Sequence, residues 1–256
     1  GCAARVFMPA TENATAYLLA QAGYRVTRRD DPRCCGALAH HAGLEHEAQA
    51  MARRTLDALI EDTDVIIVPT AAGCGAHLRS LGSVLSSAGD AIKADALATR
   101  VRDLSQALLE APRPLRFDPS HAGGTVVFQD PCHLRHAQGI TEEPRRLLLH
   151  AGATLFEAEG AELCCGSAGS YHLAAPELSA PLARSKCRSL LAAGTETVVT
   201  ANPGCWIQLR AVWPKDGPRL TTLARYLSER VLESGLPTQA ALQDDSSSSN
   251  PVKDAP

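Results

Sequence analysis

Several features that often reveal a function are missing from this chain of 256 residues. Positive charge is not in excess, since the formal net charge is −3, and this disfavours nucleic acid and acidic membrane surfaces as partners. No apolar run approaches the roughly 18 residues of a membrane span, because the longest are strand-sized pieces such as VIIV. We therefore expect no nucleic-acid partner and no transmembrane segment in this sequence.

Nucleotide-binding and hydrolase motifs are missing as well. The sequence contains no P-loop, no dinucleotide fingerprint and no G-x-S-x-G turn. Its glycines cluster around cysteines instead. Nothing supports a self-contained hydrolase or an NAD-dependent enzyme.

Cysteine is the residue that the sequence arranges in a pattern. The triplet Cys-Cys-Gly occurs twice, and each copy has one cysteine far upstream and another, next to a glycine, far downstream. Corresponding cysteines are 130 or 131 residues apart, and the flanks agree, with VIIVPTAAGC matching TVVTANPGC. This spacing indicates a tandem duplication. The first set is Cys2, Cys34, Cys35 and Cys74, the second set is Cys132, Cys164, Cys165 and Cys205, and only Cys187 lies outside both.

Apolar periodicity predicts the fold class. Segments with the helical spacing of apolar residues each precede a short β-like run, an alternation typical of mainly parallel sheets flanked by helices. The predicted class is α/β, with two tandem homologous cysteine-rich domains that each contain a small, mainly parallel sheet. The predicted strands are 24–27, 65–68, 125–128, 153–156 and 197–200.

Composition predicts where the domains begin and end. A stretch at 110–124, rich in proline and glycine, is typical of a linker, and it divides a first domain at 1–119 from a second at 120–235. Residues 236–256 contain a serine run and little apolar material, which predicts a disordered tail. The first domain is expected to be truncated at its N-terminus, because a β-like run precedes Cys132 and only Gly1 precedes Cys2.

The eight paired cysteines share one position in this pattern. Each lies a few residues beyond the C-terminal end of a predicted strand, or of the strand expected before Cys2. Ligands of open parallel sheets bind at that edge, where the strand-to-helix loops meet. The pattern therefore predicts one cluster of four thiolates in each half.

Three kinds of chemistry use such thiols. Disulfides are disfavoured by the odd cysteine count, the adjacent pairs and the size of the chain. Zinc needs only four thiolates, but its usual sites pair cysteines two to four residues apart, whereas 31 residues separate Cys2 from the Cys34/Cys35 pair. An iron–sulfur cluster takes thiolates from several loops, and four cysteines are the usual complement of [4Fe–4S]. The spacing favours iron–sulfur, with zinc as the second possibility.

Longer motifs around the cysteines resemble a known family. The pattern C-x31-CCG-x36-GCG, followed by C-x31-CCG-x37-GCW, is similar to the duplicated cysteine-rich CCG domain of heterodisulfide reductase subunits and lactate-utilisation iron–sulfur proteins. Within that family, DPCHLRHAQGI at 130–140, ELCCGSAGSYHL at 162–173, VTANPGCWIQL at 199–209 and PTAAGCGAHL at 69–78 most resemble the C-terminal part of glycolate oxidase (glycolate dehydrogenase) iron–sulfur subunits.

The resemblance implies an electron-transfer subunit rather than a substrate-oxidising one. In such a complex an FAD-binding partner oxidises glycolate to glyoxylate, and the iron–sulfur subunit passes electrons toward the quinone pool or another membrane acceptor. The resemblance also implies a cytoplasmic location, peripheral at the inner membrane through the complex. The alternatives are the iron–sulfur protein of an L-lactate-utilisation complex and, from another class, a zinc-stabilised interaction module.

One position departs from the fullest family pattern, which ends in C-x2-C. His77 occupies it in the first copy and Gln208 in the second, so four thiolates remain in each copy. This favours a one-electron cluster over a disulfide-cleaving one. His77 is a candidate ligand, although a solvated or capping histidine is commoner at such a place. Cys187 is expected to be a buried structural thiol, and His133 and His136 to lie near the second set.

Overall fold

The computed structural model describes residues 1–28, 34–61, 63–85, 87–121 and 123–233, together with the backbone of 242–244. Strands alternate with helices from residue 125 onwards, as the apolar periodicity predicts, whereas the first half is mainly helical. The helices are α1 (Cys2–Phe7), α2 (Pro9–Gln21), α3 (Ala37–His41), α4 (Glu45–Ile60), α5 (Ala72–Arg79), α6 (Ala88–Ala98), α7 (Leu104–Leu109), α8 (Cys132–Gln138), α9 (Glu142–His150), α10 (Tyr171–Ala174), α11 (Pro176–Ala192), α12 (Pro203–Arg210) and α13 (Leu223–Ser228). The strands are β1 (Val26–Arg28), β2 (Thr125–Gln129), β3 (Thr154–Phe156), β4 (Thr197–Thr200), β5 (Arg219–Thr222) and β6 (Leu242–Asp244).

A four-stranded parallel sheet forms the centre of the second half. Its order is β3-β2-β4-β5, and every neighbouring pair is parallel. The central strands β2 and β4 have the sequences TVVFQ and TVVT, and β4 is buried along its whole length. Such β-branched runs are typical of strands covered by helices on both faces. The α/β class and the predicted strands at 125–128, 153–156 and 197–200 are confirmed.

The sheet of the first half is smaller than the sequence predicts. The run at 65–68 contributes only a bridge between Ile67 and Val101, and β1 pairs with β6 instead of a strand of its own half. In the second half, β2 lies between the strands that correspond to these two segments. Among the described residues, the first half has no strand between β1 and the run at 65–68. These two segments therefore have no common central strand to pair with.

The predicted tail at 236–256 lies mostly outside the described residues. Its described part, the backbone of β6, pairs in parallel with β1, and the disorder of the tail stays a prediction. Strand pairing depends on backbone hydrogen bonds, and these need no apolar periodicity in the paired segment.

The two halves pack on each other through exchanged helices. The last helix of the first half, α7, packs on α9 of the second, and the last helix of the second half, α13, packs on α2 of the first. The contact of α5 with α8 is likewise matched by the contact of α12 with α1. The largest apolar core therefore contains residues of both halves. Among its members are Leu18, Leu108, Leu148 and Tyr226.

The segment between the halves is held in place by its neighbours. Phe117 forms an antiparallel bridge with Val231, and the Tyr226 hydroxyl donates a hydrogen bond of 2.6 Å to the Gly123 carbonyl. The domain boundary at 119/120 stays a prediction, since the common core spans it. In the described ranges, no helix is both long and apolar enough to cross a membrane.

Candidate iron–sulfur site

Four of the eight predicted cysteines lie in the first turn of a helix. Cys2 and Cys132 are the first residues of α1 and α8, and Cys74 and Cys205 lie in the first turns of α5 and α12. The two Cys-Cys-Gly triplets lead into α3 and α10. Backbone N–H groups at a helix start lack partners within the helix, and they favour negative charge nearby. These positions therefore suit thiolates.

The first set comes together as a row of sulfur atoms, which we call the first site. The Sγ atoms of Cys2 and Cys34 are 3.8 Å apart. The row continues through Cys35, whose thiol donates side-chain hydrogen bonds to Cys34 and to Cys74. The structure thus brings together the four residues that the sequence placed in one cluster.

The second set forms the same row in the same order, which we call the second site. Cys132 donates a hydrogen bond to Cys164, and Cys165 donates to Cys164 and to Cys205. The Asn202 amide also donates a hydrogen bond of 3.4 Å to the Sγ of Cys205. All nine cysteines are free thiols.

Charge within each row is concentrated on one sulfur. Hydrogen bonds from Cys2 and then Cys35 lower the pKa of Cys34 to about 2, and those from Cys132 and then Cys165 do the same for Cys164. The pKa values of Cys2 and Cys132 are raised, first by their role as donors in these bonds and then by burial. Each site therefore contains one thiolate that accepts hydrogen bonds from neighbouring thiols. The thiolate is the form of cysteine that binds metal.

The glycine of each triplet is required by a close approach to a helix. Gly36 and Gly166 have φ angles of +88° and +84°. A Cβ atom at Gly36 would lie 3.0 Å from the Ala48 carbonyl, and one at Gly166 would lie 2.7 Å from the Ser179 carbonyl. The Gly166 N–H donates a hydrogen bond of 3.3 Å to the Sγ of Cys164. Glycine here allows both the backbone turn and the contact of an N–H group with sulfur.

These matched contacts set the correspondence between the halves. Gly36 lies against Ala48 of α4, and its counterpart Gly166 lies against Ser179 of α11. Each residue of α4 therefore corresponds to the residue of α11 that lies 131 positions later. Cys187 then corresponds to Leu56, and both are buried in apolar clusters. Cys187 is accordingly a core thiol, as predicted, and takes no place in the second row.

Comparison with known proteins decides the family. The family model of the CCG cysteine-rich domain matches residues 1–79 and again 126–210. The chain belongs to the CCG cysteine-rich domain family. The two matched segments contain all eight paired cysteines, so the CCG duplication predicted from the spacing is confirmed.

Curated relatives of this CCG protein include iron–sulfur subunits. It is 37% identical over 214 residues to the glycolate oxidase iron-sulfur subunit of Escherichia coli, covering 82% of this chain and 52% of that protein. Identity to the probable glycolate oxidase iron-sulfur subunit of Bacillus subtilis is 33% over 232 residues, covering 90% and 52%. Lactate utilization protein A of an Exiguobacterium species is 23% identical over 243 residues, covering 91% and 96%. The chain spans about half the length of the first two relatives.

The donor set of each CCG half fits an iron–sulfur cluster. Iron–sulfur clusters use four cysteine thiolates and are tuned by hydrogen bonds to the sulfurs, and both are present at the second site. A single zinc ion would need all its ligands about 2.3 Å from one point. In the part of the chain that the structure describes, no group of three or more His, Cys, Asp or Glu side chains has a geometry that holds one metal ion. Four thiolates are also the complement of a structural zinc ion, so zinc stays the alternative occupant.

Sequence reasoning missed the support beneath Cys132. Asp130 is completely buried at the end of β2 and accepts hydrogen bonds from Arg145 at 3.0 Å and from Arg135 at 2.8 Å. Arg145 also binds Glu157 at 2.7 Å. Hydrogen bonds with Glu157 and then Asp130 raise the pKa of Arg145. The DPC motif at 130–132 could have revealed this support. Its aspartate lies two residues before a predicted ligand, and a buried aspartate needs a cationic partner.

Asn202 joins the two CCG halves and was also missed. Besides its bond to Cys205, its side-chain oxygen accepts a hydrogen bond of 3.4 Å from the N–H of Gly73. Gly73 directly precedes Cys74, so one side chain connects the last cysteine loops of both sites. A single asparagine in a turn carries no pattern that would reveal this from the sequence.

Four histidine rings meet where the halves face each other. The centroid of His77 lies 5.5 Å from that of His40 and 6.3 Å from that of His41, and His41 lies 5.9 Å from His133. The Nδ1 atom of His133 is 3.6 Å from the Sγ of Cys132, as its predicted position near the second set requires. The Nε2 atom of His136 instead contacts the Glu162 carbonyl at 3.1 Å.

His77 differs from its counterpart Gln208 in its hydrogen bonding. The Gln208 amide donates to the Ser179 hydroxyl at 2.7 Å, whereas Ala48 occupies the place of Ser179 in the first half. The His77 Nε2 atom accordingly has no hydrogen-bond partner among the described residues, and the side chain is only 4% exposed. Ligation by His77 stays a prediction.

This burial predicts a pH-dependent stability of the metal-free chain. Desolvation, and then repulsion from His40 and His41, lowers the pKa of His77 to about 4 from 6.5. Below pH 6.5 the unfolded chain takes up a proton that the folded chain does not, so stability falls as the pH drops from 6.5 to 4. We expect His77→Gln to remove about 2 kcal/mol of the loss between pH 7.5 and pH 5, measured by urea unfolding. The exposed His46→Gln is the control, and an equal effect of both variants would contradict the assignment.

Proposed function

We propose that this chain is part of an iron–sulfur electron-transfer subunit of a glycolate dehydrogenase complex. The observation that supports this most is the pair of four-thiol rows, each with one low-pKa thiolate, in a chain 37% identical to a glycolate oxidase iron–sulfur subunit. The proposed ligands are Cys2, Cys34, Cys35 and Cys74 at the first site, and Cys132, Cys164, Cys165 and Cys205 at the second. The proposed group is [4Fe–4S], and bound clusters of this kind supply reversible one-electron transfer.

The chain's own residues hold the clusters and shape their surroundings. The glycine turns bring backbone N–H groups to the sulfurs, and Asn202 fixes the Cys205 loop against the Cys74 loop. Burial of Cys35, Cys165 and Cys205 keeps water from much of each row. Substrate oxidation belongs, in this proposal, to an FAD-binding partner subunit, which delivers electrons from glycolate, and the acceptor is a quinone at the cytoplasmic face of the inner membrane.

Anaerobic purification tests the cluster. We expect the brown full chain to contain iron and acid-labile sulfide, and to give an EPR signal after reduction with dithionite. A colourless protein with stoichiometric zinc and no iron would instead establish the zinc-stabilised module.

The substrate of the complex is tested separately. The relation to lactate utilization protein A, which the chain matches over 96% of that protein's length, makes L-lactate the alternative electron source. In the complex isolated from the source cells with this subunit tagged, glycolate should bleach the cluster absorbance, and L-lactate should not. Bleaching by L-lactate alone would reassign the complex.

A further inference from the structure

A buried lysine lies beside the second site. Lys186 on α11 is only 3% exposed, and its ammonium donates hydrogen bonds to the carbonyls of Gly160 at 3.0 Å and Ala161 at 2.7 Å. Lysine is almost never buried to this extent without a partner. The two carbonyls belong to the loop that leads into Cys164 and Cys165.

The ammonium is close enough to the thiols to act on their charge. Lys186 interacts electrostatically with Cys165 and with Cys205, and also with Asp130 and Glu162. Asp130 is already neutralised by Arg145 and Arg135, so it does not cancel the lysine charge. In a buried environment of low dielectric constant, such a charge is screened much less than at the surface.

The first site has no corresponding charge. The correspondence between α4 and α11 places Thr55 where the second half has Lys186. The Thr55 hydroxyl donates a hydrogen bond of 3.2 Å to the Cys34 carbonyl. Thr55 thus also binds the backbone of its cysteine loop, but it carries no charge. At this one position, therefore, the second site has a buried positive charge where the first has a neutral hydroxyl.

We propose that Lys186 raises the reduction potential of the cluster at the second site above that of the first, so that the second site is the electron acceptor of the pair. Reduction adds one negative charge to a cluster, and a fixed cation beside it stabilises that form. With clusters at both sites, one electron would pass from the reduced first cluster to the oxidised second cluster, the flavin-bearing partner would be the reductant, and no bond would be made or broken. This inference rests on the proposed function.

The experiment must separate charge from loop support. We choose a full chain with Cys34→Ser, so that the second site supplies the EPR signal, and titrate it against ambient potential. In this background we compare Lys186→Met, which removes the charge and the donors, with Lys186→Gln, which keeps a donor without the charge. Lys186→Arg keeps both.

We expect the reduction potential of the second site to depend on the charge of the side chain at position 186. Both Lys186→Met and Lys186→Gln should reduce the ratio of reduced to oxidised cluster about tenfold at a given potential, which is about 59 mV for a one-electron couple. Lys186→Arg should retain the parent potential. The first-site signal, isolated with Cys164→Ser, should not move with Lys186→Met, and the matched Thr55→Val should not move the second-site signal.

Other results overturn the inference in distinguishable ways. An unchanged potential in iron-loaded Lys186→Met and Lys186→Gln would remove the role of the charge and leave the proposed function standing. A shift in Lys186→Arg equal to that in Lys186→Met, or loss of iron from all three variants, would make Lys186 a support of the loop. A parent second site that takes up no iron would overturn the inference and the proposed function together.

Discussion

Cys164→Ser should abolish the EPR signal of the second site and about halve the iron content of the chain. Cys164 is the residue on which the second row concentrates its negative charge, because Cys132 and Cys165 both donate hydrogen bonds to it. A serine hydroxyl stays protonated at neutral pH and is a poor ligand for iron in such a cluster. The first site shares no ligand with the second, so its signal should persist after reduction with dithionite.

Cys187→Ser is the matched control for this result. Cys187 is another buried cysteine of the second half, and it packs in the same apolar cluster as Cys165 and Cys205. It lies outside the row, so the variant should keep both signals and the full iron content. Equal losses of iron in the two variants would indicate a general effect of mutating this core, and would contradict the ligand assignment.

Arg145→Met should destabilise the metal-free chain by about 3 kcal/mol, at the lower end of the range for breaking a buried ion pair. The variant leaves the carboxylate of Asp130 completely buried with one of its two cationic partners, Arg135, which is itself partly exposed. Since Asp130 lies two residues before Cys132, the second site should also bind iron less tightly. Urea unfolding and iron analysis of the same preparations measure both effects.

Arg219→Met is the control for this second result. Arg219 binds Glu229, and both side chains are more than a third exposed, so water screens their attraction. We expect the control to cost less than about 1 kcal/mol and to leave iron content unchanged. Similar losses from both variants would mean that the Asp130–Arg145 pair has no special part in the stability of the second half.

The sequence predicts the second half of the fold better than the first, for a physical reason. In the second half, the runs at 125–128 and 197–200 become β2 and β4, because each finds a parallel neighbour and helices on both sides. The run at 65–68 has the same apolar character, yet it forms only the bridge at Ile67. The local sequence pattern specifies the tendency of a segment to form a strand. Whether the segment pairs depends on the presence of a neighbouring strand.

The candidate site divides in a similar way. The grouping of the cysteines was predictable, because their spacing repeats and the loops that contain them meet at one edge of a parallel sheet. Cysteine is also a residue type with few other uses. Lys186 and Asn202 were not, because one lysine in a helix and one asparagine in a turn are common at surfaces. Their importance comes from burial and from the partner across the fold, and Lys186 is recognised as unusual only beside Thr55 in the other half.

The exchange of α7 and α13 between the halves gives the duplication a further meaning. Each half packs its last helix on the other half, so the largest apolar core contains residues of both. The arrangement is that of an intertwined dimer whose two subunits have been joined end to end. Joining removes the dependence of assembly on concentration, and it frees the two copies to diverge, one keeping a threonine and the other a lysine at the same place.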